Sequence, residues 1–280
     1  GEPTVFRFRA RRVRRWLGEL DIENDEAWGD NLRQAILERL RREGCAVDEH
    51  AVAVRLISDE TGVNGAVLVD GTDCEVHQAD TTILAGDGPN FLWPDPEAAG
   101  PPTGIAMALR AKLPMGNLGE VAWQDERPTR FLDAIHADSR GQCGVPGVAA
   151  CGQARASALH AVPALAHLED VVRGLEAGAF QGPPAGDADP ELVPIVDDPM
   201  PPGFTQVKLQ RLRATLAKMG SKGTSTDALE RLHAELLSLR GECADYARAR
   251  AATDVHVLHQ AADVALGHVA SRLGQRPVDA

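Results

Sequence analysis

Seven prolines, Pro183, Pro184, Pro190, Pro194, Pro199, Pro201 and Pro202, fall between Gly178 and Gly203 and divide the chain into two parts of different character. Proline has no amide donor and clashes with the preceding helical turn, so this stretch reads as a linker holding at most one strand, over the apolar island 192–196. Beyond it, apolar residues fall at helical spacing. Val207, Leu209, Leu212, Leu216 and Met219 mark one helix. Leu229, Leu232, Leu236, Leu239, Cys243 and Tyr246 mark a second, opened by Thr226 or Asp227; Leu258, Ala262, Ala265, Val269 and Leu273 mark a third, opened by Thr253 or Asp254. Three such helices predict a small bundle, or two of them an antiparallel hairpin of coiled-coil type.

Ahead of the prolines, helical and alternating patterns follow one another. Leu32, Ile36, Leu37 and Leu40 predict a helix over 31–43 that stops at Gly44, and Val52, Val54 and Leu56 predict a strand within 47–57. Residues 66–69 and 81–84 read as a strand pair with a turn at Asp70-Gly71, and 86–100 as a Gly- and Pro-rich loop. Helices are expected over 105–112, 131–139, 154–159 and 168–175, with strands near 119–123, 145–150 and 161–165. The expected architecture is α/β (α+β): a two-layer body over residues 1–180, a linker over 181–204 and a helical domain over 205–280.

The bulk properties narrow the function classes. Apolar residues make up 44% and charged ones 25%, which is ordinary for a folded globular chain. A net charge of −12 opposes phosphate backbones, so nucleic acid could meet only a local basic patch. Arg7, Arg9, Arg11, Arg12, Arg14 and Arg15 form one, read equally as the polar side of a surface strand that pairs with Asp21, Glu23, Asp25 and Glu26. Five scattered cysteines without a CxxC pair argue against a zinc site and suit a reduced, cytoplasmic setting. The lack of an 18-residue apolar run and of a basic-then-apolar leader predicts neither membrane insertion nor secretion.

One stretch is denser in motifs. It runs Gly100-Pro101-Pro102-Thr103-Gly104-Ile105-Ala106-Met107-Ala108, then Leu118-Gly119-Glu120-Val121 and Pro128-Thr129-Arg130, and closes on Val162-Pro163 and Leu168-Glu169-Asp170-Val171-Val172. In this order it resembles the Lon protease domain, of the ribosomal protein S5 domain 2-like type. The likeness is greatest to the non-proteolytic form in magnesium-chelatase-like AAA+ proteins and branch-migration ATPases. The resemblance spans 100–175, with 63–100 as an insertion, and implies a two-layer Lon-like body.

Active members of that family use a serine in a Gly-Pro-Ser-Ala-Gly turn, with a lysine taking its proton. Here Pro102 stands at the serine position, and a one-residue slip offers Thr103 as the candidate nucleophile. No lysine occurs from Gly119 to Leu175, and Arg130 and Arg140 remain protonated, which makes them poor bases. The resemblance therefore implies a non-catalytic scaffold or adaptor for protein assembly. No Gly-x4-Gly-Lys-[Ser/Thr] loop occurs, so the implied partner is a separate AAA+ ATPase. The alternatives are a divergent Ser/Thr hydrolase using Thr103 and a nucleic-acid-binding accessory protein using the N-terminal arginines. No cofactor is expected. The apolar seams of the last helices suit a protein partner or a homo-oligomer. His256, His259 and Asp263 share one helix face and form a candidate metal set, against the plainer reading of a solvated face.

Overall fold

A computed structural model describes residues 28–70, 73–89, 100–124, 127–155, 161–182, 201–218, 224–247 and 253–275. Two compact units are distinguished, 1–50 and 51–280. The first contributes helix α1 (Trp28–Arg42), with Arg39, Arg41 and Arg42 in its last turn, where cations oppose the negative helix end. Arg33 and Arg41 both reach Glu49, at 3.0 and 2.7 Å.

The second unit opens with an antiparallel meander of β1 (Val52–Asp59), β2 (Gly62–Asp70) and β3 (Asp73–Gln78). The β1–β2 turn is held by Asp59, whose Oδ1 accepts from the amides of Thr61 (2.7 Å) and Gly62 (3.2 Å) and from the Thr61 hydroxyl (2.5 Å). These bonds hold its carboxyl below the usual carboxylate range, the Thr61 hydroxyl contributing most. β2 pairs with β3 and not with 81–84 as expected, because Cys74, Glu75, Val76 and His77 form an exposed strand with no apolar run to announce it.

Residues 82–84 go elsewhere. Strand β4 (Thr82–Leu84) pairs in parallel with β9 (Val148–Ala150), Ile83 opposite Ala149. Parallel strands need a long crossover and cover on both faces. One face, Leu84, Val148 and Ala150, packs on Met107 and Ala108 of helix α2 (Thr103–Arg110). The other, Ala149 with Cys151, packs on Val171 of helix α3 (Ala161–Glu176) and on Phe180. Within the crossover lie two short antiparallel pairs, β5 (Met115–Gly116) with β8 (Ala134–Ile135) and β6 (Val121–Gln124) with β7 (Arg127–Phe131).

Two expected elements of the Lon-like frame are absent as such. The helix expected over 131–139 is the end of β7, β8 and a loop: Phe131, Leu132 and Ile135 imitate helical spacing, but the chain is extended. The strand expected over 161–165 is the first turn of α3, where Pro163 is tolerated because first-turn amides have no intrahelical acceptor. Between them, Gly152–Ala154 forms a single 3-10 turn.

Three further helices follow, α4 (Phe204–Ala217), α5 (Thr226–Ala247) and α6 (Thr253–Arg272), at the predicted positions. Helix α6 packs against α5, α4, α2 and β1. Ile105 and Ala106 of α2 share one core with Leu212, Leu216, Leu236, Leu239, Leu258 and Val269, so the last helices and the middle of the chain bury their apolar faces together. Nearly every residue from Val255 to Ala270 is buried, on all sides of α6. No described helix is long and apolar enough to cross a membrane.

Gly147 has φ +78°, and a Cβ there would overlap the Val63 carbonyl oxygen. Gly147→Ala should cost about 3 kcal/mol or more, and Leu236→Ala about 2–5 kcal/mol by leaving a cavity. Urea denaturation midpoints against the parent chain check both.

Candidate functional site

β4 and β9 end side by side at Leu84 and Ala150, and the chain leaves each through glycine. After β4 come Ala85-Gly86-Asp87-Gly88; after β9 come Cys151-Gly152-Gln153-Ala154. A third turn, Gly100-Pro101-Pro102, delivers the first residue of α2 to the same place. A Cβ on Gly86 would lie 3.4 Å from the Gly104 amide and from Thr103 Oγ1, and one on Gly88 would lie 3.4 Å from the Gln153 carbonyl. Gly104 faces Ala154 and Leu84, whose Cβ atoms lie 3.7 Å from where its own would be. Three glycine-bearing turns thus form a backbone-walled seam across the carboxyl ends of a parallel strand pair, where open α/β sheets bind ligands.

The seam is polar. The Gly88 amide faces Gln153 Oε1 at 3.5 Å, and the Gly100 amide donates to Asp87 Oδ2 at 2.7 Å. Helix α2 begins on Pro102 with no side-chain cap and no acidic residue in its first turn, so its positive end is not neutralised from within. Backbone amides and a helix N-terminus favour an anionic group.

Thr103 stands at this helix start, its hydroxyl beside Gly86. Lys112, the lysine nearest to it in the sequence, lies past the opposite end of α2. The stretch 100–108, singled out above as a degenerate peptidase turn, is a wall of the seam.

His256, His259 and Asp263 do share a face of α6, but Asp263 is taken by two arginines. Its Oδ2 accepts from Arg110 Nε at 2.6 Å and its Oδ1 from Arg240 Nε at 2.5 Å. Arg110 also donates to the Val54 carbonyl at 2.8 Å and contacts His259 Nδ1 at 3.0 Å. Among the described residues no group of three or more His, Cys, Asp or Glu could hold a metal ion. The arginine set Arg7, Arg9, Arg11, Arg12, Arg14 and Arg15 lies outside the described residues. The thiols of Cys143 and Cys243 are pushed up to about 12 by burial and stay protonated at neutral pH.

A second buried polar link was not foreseen. Asp133 and His268, both fully buried, meet at 2.7 Å, while Asp133 Oδ1 also accepts from the Gly119 amide at 2.5 Å. Ser271 donates to the Leu118 carbonyl at 2.8 Å, so α6 grips the turn at 117–120. The motif Gly119-Glu120-Val121, read above as a family signature, is this turn entering β6.

No family model matches the sequence. The chain is 32% identical over 154 residues to L-aspartate oxidase of Halobacterium salinarum, a match covering 52% of this chain and 30% of the relative. Among solved structures it superimposes on a variant of the E. coli quinol fumarate reductase chain FrdA with a TM-score of 0.60 at 10% identity, covering 87% of this chain and 66% of that one. The fold is that of the FrdA chain. Mycobacterium smegmatis Sdh1 in complex with UQ1 gives a TM-score of 0.62 at 14% identity, with 88% and 65% covered. A quinol–fumarate reductase with menaquinol gives 0.58 at 12%, with 87% and 67% covered. The chain thus spans under a third of its sequence relative and about two thirds of these structures.

These likenesses overturn the Lon-like assignment and the readings built on it. The non-catalytic scaffold, the Thr103 hydrolase and the AAA+ ATPase partner rested on that resemblance, and the nucleic-acid accessory on the N-terminal arginines beside it, whereas the relative is an oxidase and the superimposed chains include fumarate reductases. The misleading signal was physical. A glycine turn before an alanine-rich helix, followed by an alanine- and valine-rich strand, serves any α/β crossover.

The arginine pair on Asp263 makes a stability prediction. Asp263→Asn leaves two guanidinium groups facing each other and should cost about 3–5 kcal/mol. Burial first, then Arg110, Arg240 and His256, push His259 down from 6.5 to about 4 against the pull of Asp263. The unfolded histidine binds its proton below 6.5 and the native one only below about 4, so stability present above 6.5 is lost as pH falls through this window. The loss is up to about 3 kcal/mol, and burial lowers His256 in the same direction. Denaturation at pH 7 and pH 4.5 should show a smaller difference for His259→Gln than for the parent.

Proposed function

We propose that this chain is part of an oxidoreductase of the kind represented by L-aspartate oxidase and fumarate reductase, and that the glycine seam holds one side of a flavin dinucleotide. The observation that carries the reading is the seam itself, lying at the carboxyl ends of the parallel pair in a chain that superimposes on FrdA over 87% of its length. A bound flavin would supply the hydride-transfer chemistry that protein side chains do not carry out.

The residues present fit such a group in part. Gly86, Gly88 and Gly104 let the three turns pack backbone against backbone, a Cβ on each standing 3.4–3.7 Å from its nearest neighbour, and the uncapped start of α2 suits a phosphate. The Gly-x-Gly-x-x-Gly turn that cradles a dinucleotide pyrophosphate does not occur in these 280 residues. Arg155, the cation that follows the β9 turn, is tied to the Asp138 carbonyl at 2.5 Å and to Asp170 at 3.4 Å. The role assigned to the chain is therefore to shape and orient one side of the cofactor. Arg110 and Arg155 are committed to internal carboxylates, so the proposal extends to the redox class and not to the dicarboxylate substrates named for the relatives. Protein partners accord with the multi-subunit setting of the structural neighbours.

Titration of the purified chain with flavin adenine dinucleotide should give weak, saturable quenching of flavin fluorescence. Gly86→Val, whose side chain fills the seam, should abolish it while leaving the far-ultraviolet circular dichroism intact. An absence of saturable quenching in the parent, or equal quenching in the variant, would refute the reading.

A further inference from the structure

Strand β3 is the outer strand of its sheet: β2 pairs with it on one side, and no described strand lies on the other. Every residue from Cys74 to Asp80 is exposed. Val76 stands opposite Val67 and therefore shares its face, the one on which Val67 and Val69 are buried. Val67 is 3% exposed and Val76 37%, so the apolar face of the sheet runs on to an uncovered edge. Natural edges are blunted by lysine, proline or a bulge. Asp73–Gln78 contains neither residue, and its register with β2 runs without a shift.

The phase of the ladder fixes which backbone groups this edge offers. The Ala79 amide donates to the Asn64 carbonyl at 2.9 Å, and bonded pairs alternate with unbonded ones along antiparallel strands. His77 opposite Ala66, and Glu75 opposite Leu68, therefore exchange their bonds with β2. Val76, between them, directs its amide and carbonyl away from β2. Glu75 and His77 lie on the face opposite to Val76 and already bond to each other there, His77 Nε2 to Glu75 Oε2 at 2.8 Å.

We propose that β3 is a self-association edge: two copies of this chain pair β3 with β3, antiparallel, about a two-fold axis through Val76, and so join their three-stranded meanders into one sheet. The amide of each Val76 donates to the carbonyl of the other, and the two side chains meet on the apolar face. Glu75 of one protomer falls opposite His77 of its partner, in the closely spaced unbonded pairs on either side of the axis. The carboxylate–imidazole contact made within each strand is thus made twice between strands. Of the residues whose backbone points away from β2, Cys74, Val76 and Gln78, only Val76 as centre sets acid opposite imidazole. That self-complementarity selects a second copy of the chain as the occupant. Pairing over 74–78 buries less than the ~800 Å² per partner of a standard interface, so the dimer is weak and forms at high concentration.

Sedimentation of the full chain from about 10 µM to about 1 mM should follow a monomer–dimer equilibrium. Val76→Pro removes an amide that β2 does not use, and with it the two central bonds. It should lower the association constant about tenfold or more at an unchanged melting temperature. His77→Glu, which opposes two carboxylates, should weaken the dimer, and Glu75→His combined with His77→Glu in one chain should restore it. Disulfide trapping reads the register, in chains whose exposed Cys45 and Cys74 are replaced by serine. Glu75→Cys mixed with His77→Cys sets two thiols in an unbonded pair, with Cα atoms about 4.5 Å apart, and should cross-link. Either variant alone sets them diagonally, about 7–8 Å apart, and should not. A chain that stays monomeric throughout, a dimer indifferent to Val76→Pro, or cross-linking as strong in either variant alone as in the mixture would overturn the proposal. Should Val76→Pro fail to fold, the exchange of Glu75 with His77 and the cross-linking decide.

Discussion

The parallel contact between two three-residue strands is the constraint on which the candidate site depends. It brings together Leu84 and Ala150, 66 positions apart in the chain, so that the turns leaving them face each other. The start of the pair is crowded: the Thr82 amide donates to the Gly147 carbonyl at 2.8 Å, and the Gly182 amide donates to Asp80 at 3.0 Å. Positions on either side of Gly147 and Gly182 approach so closely that a methyl group on either would meet the Val63 carbonyl. Glycine is required there by proximity as much as by φ. β4 and β9 contribute little ladder energy of their own, and their alignment follows from burial between α2 and α3.

Helix α2 joins this site to the C-terminal helices. Its first residue, Thr103, stands in the seam, and its last, Arg110, is bonded to Asp263 of α6 and to the β1 carbonyl of Val54. Asp263 in turn holds Arg240 of α5. One carboxylate with two guanidinium partners thus sets the pitch of α2 from one end, and the shared apolar core fixes it along its length. The Asp133–His268 link does the same for the turn at 117–120. Buried ionic groups of this sort add little net stability over apolar packing, but they penalise any other register of the helices. The orientation of the helix end that borders the seam is therefore decided in part by Asp263, more than 150 positions further along the chain.

Local patterns were legible where they are strongest. The spacing from Leu229 to Tyr246 and the Thr253 or Asp254 start gave α5 and α6 at the predicted places, because an apolar face repeated over five turns has no other regular solution. Short elements were not. Phe131, Leu132 and Ile135 read as helix and are extended, while Val162 and Leu165 read as strand and are helical, because three apolar residues satisfy either period. The stretch 100–108 was rightly singled out, but its chemistry was misassigned: a Gly-Pro-Pro-Thr-Gly turn before a helix denotes a tight backbone approach, and what approaches it is not written nearby. Gly86 and Gly88 were read only as loop, although glycine directly after a strand and before a helix is the one local hint of the seam.

The sequence by itself determined the long C-terminal helices, the strand through Val52, Val54 and Leu56, and the overall α/β character, since each follows from patterns within a few residues of one another. Tertiary structure alone decided that 82–84 would lie beside 148–150 in parallel, that three glycine turns would meet there, and that Asp263 would accept from two arginines. These are contacts between distant segments. Their partners are selected by which faces can be buried together, and no local window of the chain carries that information.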